Sequence, residues 1–500
     1  MNVFRTKSVE QSIAETQEPE HQLKKDLGVL DLIVFGVGVI IGAGIFVITG
    51  TVAASNAGPG ITISFAIAGL ACALAALCYA EFASTVPVAG SAYTFSYATF
   101  GELIAWIIGW DLALEFTIGS AALATSFSGY YQEVMEGTPL EVPTNYASAA
   151  DGVVDLPAVV IALLVMGVLI LGIKMSSVIN QIVVAIKLLV VAAVILFGIA
   201  HVDPANYSPF VPPSEGAAEG SGGFMDQTLI SWLLGIDPAV YGIAGVIAGA
   251  SIVFFAFIGF DIVATTAEEA RDPQRDIPRG ILGSLAIVTA LYIVVSLIIT
   301  GMQNYTDIDP GDPAPLATAF DSVDMDWMGR LISIGACIGL IVVVMILMLG
   351  QTRVGFAMAR DGLLPRGLSK VHPKFGTPYV FTLLTGIAVA IIGGLVDLET
   401  LVHLVSIGTL FAFVLVSVGV AILRHRRPDL PRSFRTPAVY VVATASVLLC
   451  FYLMLNLTGG TWVRFLVWMA IGLVVYFTYG ASHSRLGRGE YDKHTTPDTI

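Results

Sequence analysis

Long apolar stretches alternate with short polar ones along almost the whole chain. Twelve of these stretches have about 20 residues or more, the length that an α-helix needs to cross the hydrocarbon core of a bilayer. We number them as segments 1 to 12: 29–54, 59–86, 101–132, 155–173, 178–201, 239–266, 280–303, 328–358, 378–396, 399–423, 437–457 and 461–481. The pattern predicts an all-α polytopic membrane protein with twelve transmembrane helices. Segments 3 and 8 are long enough to tilt or to continue beyond the bilayer.

Composition agrees with this prediction and argues against several functions. Of the 500 residues, 56% are hydrophobic and only 12% are charged, against about 25% charged residues in soluble domains. The four cysteines are scattered within apolar segments, so the sequence indicates neither a disulfide framework nor a metal cluster. We find no convincing set of nucleophiles or acid–base pairs, so we expect no enzyme, no catalytic residues and no cofactor. Nothing in the pattern indicates nucleic-acid binding.

The charged residues are sorted between the loops. Loops 133–155, 201–238 and 302–326 are acidic and contain no Lys or Arg, whereas the alternate loops and the tail are rich in both. The positive-inside rule then predicts a multi-pass protein of the cell membrane with both termini in the cytoplasm. The predicted regions are an N-terminal segment, a five-helix repeat, an extracellular loop, a second repeat, helices 11 and 12, and a tail: 1–28, 29–201, 202–238, 239–423, 424–481 and 482–500.

Segment 1 carries a glycine-rich stretch in its middle. No Asp, Glu, Lys or Arg occurs from residue 32 to residue 80, so this stretch lies in lipid. Glycines favour unwinding, and open backbone at bilayer depth is tolerated only where it lines a cavity. The N–H groups of Gly42, Ala43, Gly44 and Ile45 would then begin a new half-helix, whose positive end can hold a carboxylate. The alternative interpretation is close helix packing through small residues.

Segment 6 has a similar character, with several glycines and the aromatic run Phe254–Asp261. If its helix stops between Phe255 and Ile258, the freed carbonyls present the negative end of a helix dipole to an ammonium group. A carboxylate next to an ammonium group describes an α-amino acid. The alternative is an aromatic-rich core helix. Three phenylalanines are candidates for gates or for walls of a side-chain pocket: Phe254, Phe257 and Phe260.

The two glycine-interrupted segments stand five helices apart. Such segments at matching positions of two halves are the sequence indication of an inverted repeat. We therefore expect segments 1–5 and 6–10 to be related by a pseudo-two-fold axis in the membrane plane, with discontinuous helices 1 and 6. Segments 11 and 12 would be peripheral.

Ionisable residues inside the apolar segments are candidates for function, because such residues are costly in lipid. Lys187 in segment 5 either extends to the membrane surface or is buried near segments 1 and 8. Burial disfavours the charged ammonium group, so a buried Lys187 predicts proton coupling. Glu115 in segment 3 is a candidate for a gate or a second titrating site. Asp261 is suited to cap the second half of segment 6.

The charged run Glu268–Arg279 follows segment 6. Most of it is interpreted as a solvated loop with Pro-set turns. Some of its members are expected to form ion pairs with Arg353 or Arg360 at the inner mouth.

Several motifs resemble a known group of transporters. Gly36–Phe46 is similar to the first-helix signature of the amino acid–polyamine–organocation superfamily. Phe254–Arg279, the stretch from Gly172-Ile173-Lys174 to Lys187, and Gly350–Pro365 resemble the narrower cationic amino acid transporter family. The likeness spans roughly residues 24–425.

This resemblance implies the five-plus-five inverted-repeat fold and a midplane amino-acid site between segments 1 and 6. It implies carboxylate contacts at Gly42, Ala43 and Gly44. It also implies that the ammonium group of the substrate contacts backbone carbonyls, those of Ile41, Phe255, Ala256 and Ile258. Lys187 matches the fifth-helix lysine that is linked in this family to proton-coupled transport.

The side chain of the substrate is open to several interpretations. Leu340 of segment 8 is a further candidate for the side-chain pocket or a gate. Segment 8 around it offers no carboxylate or amide, and a cationic side chain needs an acceptor or water. This favours neutral, small or apolar amino acids, although Glu115 leaves cationic substrates open. The leading hypothesis is proton-coupled uptake by alternating access, with amino acid, protons and membrane lipid as partners. The alternatives are an exchanger, a carrier of cationic amino acids or polyamines, a channel and a nutrient sensor; the oligomeric state is not predicted.

Overall fold

Each of the twelve apolar segments contains α-helix in the structure, a computed structural model. It describes residues 5–6, 27–85, 91–150, 152–172, 177–216, 223–236, 239–266 and 269–488. The helices of segments 2 to 5 are Ile61–Thr85, Glu102–Met135, Leu156–Ile170 and Ser177–Gly198. Those of segments 7 to 12 are Pro273–Met302, Asp326–Arg360, Tyr379–Leu395, Leu398–Arg426, Val439–Leu455 and Gly459–Val475. The connections contain the short helices Ser91–Thr99, Leu229–Leu234 and Pro315–Asp321, and two antiparallel strands, Glu215–Gly216 and Ala239–Val240.

Length and composition suit a membrane. Within the described residues, eight helices are long and apolar enough to cross a bilayer, and four shorter apolar helices accompany them. This confirms the predicted all-α polytopic membrane protein. The helices of segments 3 and 8 have 34 and 35 residues, so the two segments predicted to be long are also the longest of these helices.

Segment 1 is interrupted where its glycines predicted. A first helix, Val29–Ile40, ends at Ile41, which has an extended backbone with φ −70° and ψ 96°. The chain resumes at Gly44–Ile48 as a π-helical turn and continues to residue 57. We call the non-helical pair Ile41–Gly42 break 1.

Segment 6 is interrupted as well. Its first helix, Gly242–Val253, tightens into a 3₁₀ turn at Phe254–Phe257 and stops at Ile258, which has ψ 136°. Gly259 follows with φ +114°, a conformation that a side chain rarely tolerates. A short helix, Ile262–Thr265, completes the segment. We call Ile258–Gly259 break 2.

Two described residues near the opposite ends of the chain, Arg5 and Ser484, meet at one carboxylate, that of Glu102. Arg5 donates from Nη2 to Glu102 Oε1 at 3.2 Å, and the Ser484 hydroxyl donates to the same buried carboxylate. The predicted ion pair after segment 6 is confirmed, because Arg353 Nη2 lies 3.2 Å from Glu269 Oε1. Within the predicted motifs, residues 173–176 and 267–268, which include Lys174 and Glu268, lie outside the described residues.

Candidate functional site

Segments 1 and 6 pack closely against each other next to the two breaks. A Cβ atom built on Gly44 would lie 2.2 Å from Ala256 Cβ and 2.3 Å from Ala256 Cα. A Cβ on Gly259 would lie 2.5 Å from Val39 Cγ1. These distances leave no room for a side chain at Gly44 or at Gly259. Glycine at the two positions therefore lets segments 1 and 6 approach each other closely. Gly44 therefore serves close packing, and Gly42 lies in the unwound backbone beside it.

A small cavity lies against both breaks. Segments 1, 3, 6 and 8 supply its walls. They are formed by Val39, Ile40, Gly42, Ala43, Gly44, Gly119, Leu123, Phe255, Ala256, Ile258, Val343 and Leu347. Every one of these residues is a glycine or has an apolar side chain. Polar recognition in this cavity must therefore come from the backbone.

The backbone around the breaks offers both signs of partial charge. Gly42, Ala43 and Gly44 stand at the start of a helical stretch, where the first N–H groups have no intrahelical partner. These groups form the positive end of the helix dipole and suit a carboxylate.

The carbonyls predicted to bind an ammonium group already have partners in part. Ile41 O accepts from Lys187 Nζ at 2.8 Å, and Ala256 O accepts from the Tyr292 hydroxyl at 2.8 Å. Phe255 O accepts from the Ile258 N–H at 3.2 Å. A carbonyl oxygen has two lone pairs, so each of these can accept one further hydrogen bond.

The structure divides the predicted site residues into two groups. Those on the cavity wall are Gly42, Ala43, Gly44, Phe255, Ala256 and Ile258. Those that are buried but off the wall are Ile41, Ile45, Phe254, Phe257, Phe260, Glu115 and Leu340. Ile41 still contributes to the site, because its carbonyl binds Lys187.

The three phenylalanines predicted as gates or as walls of the side-chain pocket lie off the cavity wall in this structure, and each ring has aromatic partners elsewhere. The rings of Phe254 and Phe260 lie 5.5 Å and 4.9 Å from that of Phe413 in segment 10. The Phe257 ring lies 5.3 Å from that of Tyr292 in segment 7. Offset and edge-to-face pairs at such distances hold the rings in the protein core.

Six wall residues were not among the predicted site residues: Val39, Ile40, Gly119, Leu123, Val343 and Leu347. Helical spacing gives a signal for two of them, since Glu115, Gly119 and Leu123 recur every four residues and share one face of segment 3. Glu115 thus lies one turn from the cavity on the face that lines it. The residues of segment 8 carry no comparable signal, because one apolar face of a long buried helix resembles another.

Tyr292 of segment 7 links the two breaks and was also missed. Its hydroxyl lies 2.7 Å from Ile40 O and 2.8 Å from Ala256 O, so one hydrogen is shared between a carbonyl at break 1 and one near break 2. A fully buried tyrosine in an apolar segment is itself a signal, because its hydroxyl needs a partner.

We expect Tyr292→Phe to loosen the site. The change leaves two carbonyls without this donor, and such a loss costs about 1–3 kcal/mol. Substrate affinity, measured by ligand-induced thermal shift, should fall by about tenfold for each 1.4 kcal/mol lost. Tyr207→Phe is the matched control, since that hydroxyl donates to Leu297 O of the same segment at 2.7 Å, away from the breaks. Equal affinity in wild type and Tyr292→Phe would contradict the bridging role.

Lys187 is buried and does not extend to the surface. Its Nζ donates to Gly38 O and Ile41 O, each at 2.8 Å, and its side chain is 1% exposed. A Cβ on Gly339 would lie 2.5 Å from Lys187 Cε, so the stem crosses segment 8. The predicted position near segments 1 and 8 is confirmed. The ammonium group is attached directly to the residue where segment 1 unwinds.

Glu115 belongs to a buried group of carboxyls. It interacts electrostatically with Asp111 of its own segment and Asp261 of segment 6, and all three are at most 1% exposed. Within the described residues, both oxygens of Asp111, both of Asp261 and Glu115 Oε1 have no hydrogen-bond partner. Asp261 precedes the helix Ile262–Thr265 but makes no side-chain cap bond, so the predicted capping role is not met. Three such groups cannot all carry negative charge side by side without a cation.

Comparison with known proteins identifies the family. Residues 27–478 match the amino acid permease family. The chain belongs to this family. Its membership confirms the predicted resemblance to amino acid–polyamine–organocation transporters, and the expectation of a transporter rather than an enzyme is confirmed as well.

Three relatives of this amino acid permease differ in the substrates that their names state. The branched-chain amino acid permease BcaP of Bacillus subtilis (strain 168) is 46% identical over 493 residues, 97% of this chain and 99% of the relative. A methylthioribose transporter of the same organism is 44% identical over 491 residues, 97% of this chain and 100% of the relative. The vacuolar cationic amino acid transporter 2 of Arabidopsis thaliana is 41% identical over 419 residues, 83% of this chain and 62% of the relative.

Proposed function

We propose that this permease takes up α-amino acids with small or branched apolar side chains across the cell membrane, by alternating access and coupled to protons. The observation that carries the proposal is the composition of the cavity. Its walls contain only glycine and apolar side chains, while unwound backbone at two breaks supplies the polar groups. A zwitterionic head with an apolar tail fits this combination.

Two relatives favour different substrates. The name of the branched-chain amino acid permease agrees with an apolar pocket formed by Leu123, Val343 and Leu347. Methylthioribose, the substrate in the other name, has neither a carboxylate nor an ammonium group. It would leave the dipoles at both breaks without charged partners, so we keep it as the second candidate. A cationic side chain would find no acceptor side chain on the cavity wall.

The packing of the helices supports twelve spans and an inverted repeat. Segment 3 packs on segment 8, and segment 2 on segment 7, as expected for equivalent helices of two halves. Segment 7 packs on the first part of segment 1, and segment 2 packs on the first part of segment 6. Likewise segment 5 packs on 8, and segment 10 packs on 3. Each contact has its counterpart under exchange of segments 1–5 with 6–10.

The topology that we propose has both termini in the cytoplasm. The contacts of Arg5 and Ser484 with the same Glu102 carboxylate agree with an even number of spans. The acidic loops then face outward, as the positive-inside rule requires. The regional boundaries predicted above, including the two repeats and helices 11 and 12, belong to this proposal.

Proton coupling is proposed to run through Lys187. Its two bonds to Gly38 O and Ile41 O connect its protonation state to the backbone at break 1. Losing the charge would weaken both bonds and change how break 1 is held. We propose the cluster of three buried carboxyls, those of Asp111, Glu115 and Asp261, as a gate or second titrating site. In the proposed topology it lies on the cytoplasmic side of the cavity.

Uptake into proteoliposomes tests the function. We expect labelled leucine, isoleucine and valine to accumulate, and an outside-acidic pH gradient to increase their accumulation. Lysine should be taken up little. Transport of methylthioribose but no amino acid would favour the second candidate. Leucine uptake that is independent of the gradient would contradict proton coupling. A preference for lysine over leucine would contradict the proposed apolar substrate pocket.

A further inference from the structure

Three side chains of segment 5 meet at one residue of segment 1. Asn180, Val184 and Lys187 are four and three residues apart, so they lie on one face of the helix Ser177–Gly198. Lys187 Nζ donates to Gly38 O, and a Cβ on Gly38 would lie 2.3 Å from Val184 Cγ2 and 3.9 Å from Asn180 Oδ1. Gly38 is therefore the meeting point of the lysine, the valine and the asparagine.

Asn180 has an unusual oxygen. The side chain is only 9% exposed, and its Oδ1 atom is buried without a hydrogen-bond partner within the described residues. A buried amide oxygen in that state calls for an explanation, and an ordered water or a functional role are the usual ones. Its position next to Gly38 directs attention to the lysine.

Lys187 has a donor to spare. An ammonium group has three N–H donors, and two of them are used by Gly38 O and Ile41 O. A water that receives the third N–H and donates to Asn180 Oδ1 would satisfy both groups at once, as bridging waters commonly do. Val184 lies between Asn180 and Lys187 on the same helix face and packs against Gly38. It therefore restricts the space available to such a water.

The next residue along the chain, Gln181, is polar and exposed. Gln181 Nε2 donates to Asp31 Oδ1 at 3.1 Å, at the start of the helix Val29–Ile40. In the proposed topology this end is cytoplasmic. Within the described residues, few titratable side chains of the neighbouring segments lie near Asn180, Val184 and Lys187. Segment 7 supplies Tyr292, which is bonded to Ile40 O, and segment 8 supplies Cys337, two residues before Gly339.

We propose that Asn180 positions the water through which Lys187 releases its proton to the cytoplasm. An N–H bond of Lys187 breaks, an O–H bond forms on that water, and the water passes a proton on towards Asp31 and bulk solvent. Asn180 gains and loses no proton; it orients the water by accepting a hydrogen bond. This role makes Asn180 a positioning residue, and it rests on the proton coupling proposed above.

The test separates net transport from exchange in proteoliposomes that contain the full-length protein. Net leucine uptake driven by a pH gradient requires Lys187 to release its proton in every cycle, whereas leucine counterflow at equal pH does not. We expect Asn180→Leu to lower net uptake by about tenfold or more, a modest value for a lost proton-transfer path. Counterflow should stay as in wild type. Asn180→Asp, which keeps an acceptor oxygen, should restore net uptake.

Ile182→Ala is the matched control, since it changes an exposed side chain of the same helix and should affect neither assay. Size-exclusion profiles of all variants check that they fold. Equal net uptake in wild type and Asn180→Leu would overturn the relay, as would a parallel loss of counterflow, which indicates a structural role. If wild type itself shows counterflow but no response to the gradient, the proton coupling fails and the relay fails with it.

Discussion

Replacing Lys187 by alanine will abolish the pH dependence of leucine uptake. The ammonium group donates to Gly38 O and Ile41 O at 2.8 Å. Without it, the backbone at break 1 loses the ammonium group that holds it and that can gain or lose a proton. Net uptake under an outside-acidic gradient should fall by about 100-fold, in the range of a lost acid–base group. The measurement is initial uptake into proteoliposomes over a series of external pH values.

Two variants control for effects of shape. Lys187→Met fills the space beside Gly339 with a side chain of similar length but no charge, and it should lose pH dependence as Lys187→Ala does. Lys370→Ala removes an exposed lysine from a loop and should behave as wild type. A wild-type pH profile in Lys187→Met would refute the coupling role.

Replacing Gly44 by alanine will destroy the substrate site. The new methyl group would lie 2.3 Å from Ala256 Cα, and that atom is backbone, so it cannot move aside alone. Overpacking of this kind costs about 1–3 kcal/mol and displaces neighbouring elements. Because Gly44 and Ala256 lie two residues from the breaks and on the cavity wall, leucine uptake should be lost altogether, with a lower unfolding temperature.

Other glycines of the same chain supply a graded series. A Cβ on Gly42 would lie 3.3 Å from Leu123 Cδ2 and 3.9 Å from Ile40 O, so Gly42→Ala should reduce uptake without abolishing it. A Cβ on Gly167 in segment 4 would meet nothing within 4 Å, and Gly167→Ala should transport as wild type. If Gly44→Ala transports leucine as well as Gly167→Ala does, the close contact of segments 1 and 6 next to the breaks is not needed for binding.

The interruptions could be read from the sequence because their causes are local. Glycine at bilayer depth in segments 1 and 6 predicted open backbone, and the chain opens at Ile41–Gly42 and at Ile258–Gly259. The burial of Lys187 near segments 1 and 8 also followed from its depth in segment 5, since a lysine there must find partners.

The walls of the cavity could not be read in the same way, because they depend on how whole helices are rotated. Glu115 and Leu123 share one face of segment 3, yet only Leu123 reaches the cavity. The phenylalanines of segment 6 face Phe413 and Tyr292, which lie far along the chain. Tyr292 itself donates to carbonyls of two other segments. Ala256 lies 36 positions before it in the chain, and Ile40 lies 252 positions before it. Local sequence patterns carry no information about such pairings.

A structure determined by electron cryo-microscopy with bound leucine tests the central claim most directly, namely that peptide groups at two helix breaks hold the amino acid. We expect the carboxylate against the N–H groups of Gly42 to Gly44 and the ammonium group against carbonyls of Phe255, Ala256 or Ile258. The leucine side chain should point towards Leu123 and Leu347. Density for leucine outside this cavity, or its charged groups bound by side chains rather than by these peptides, would contradict the account.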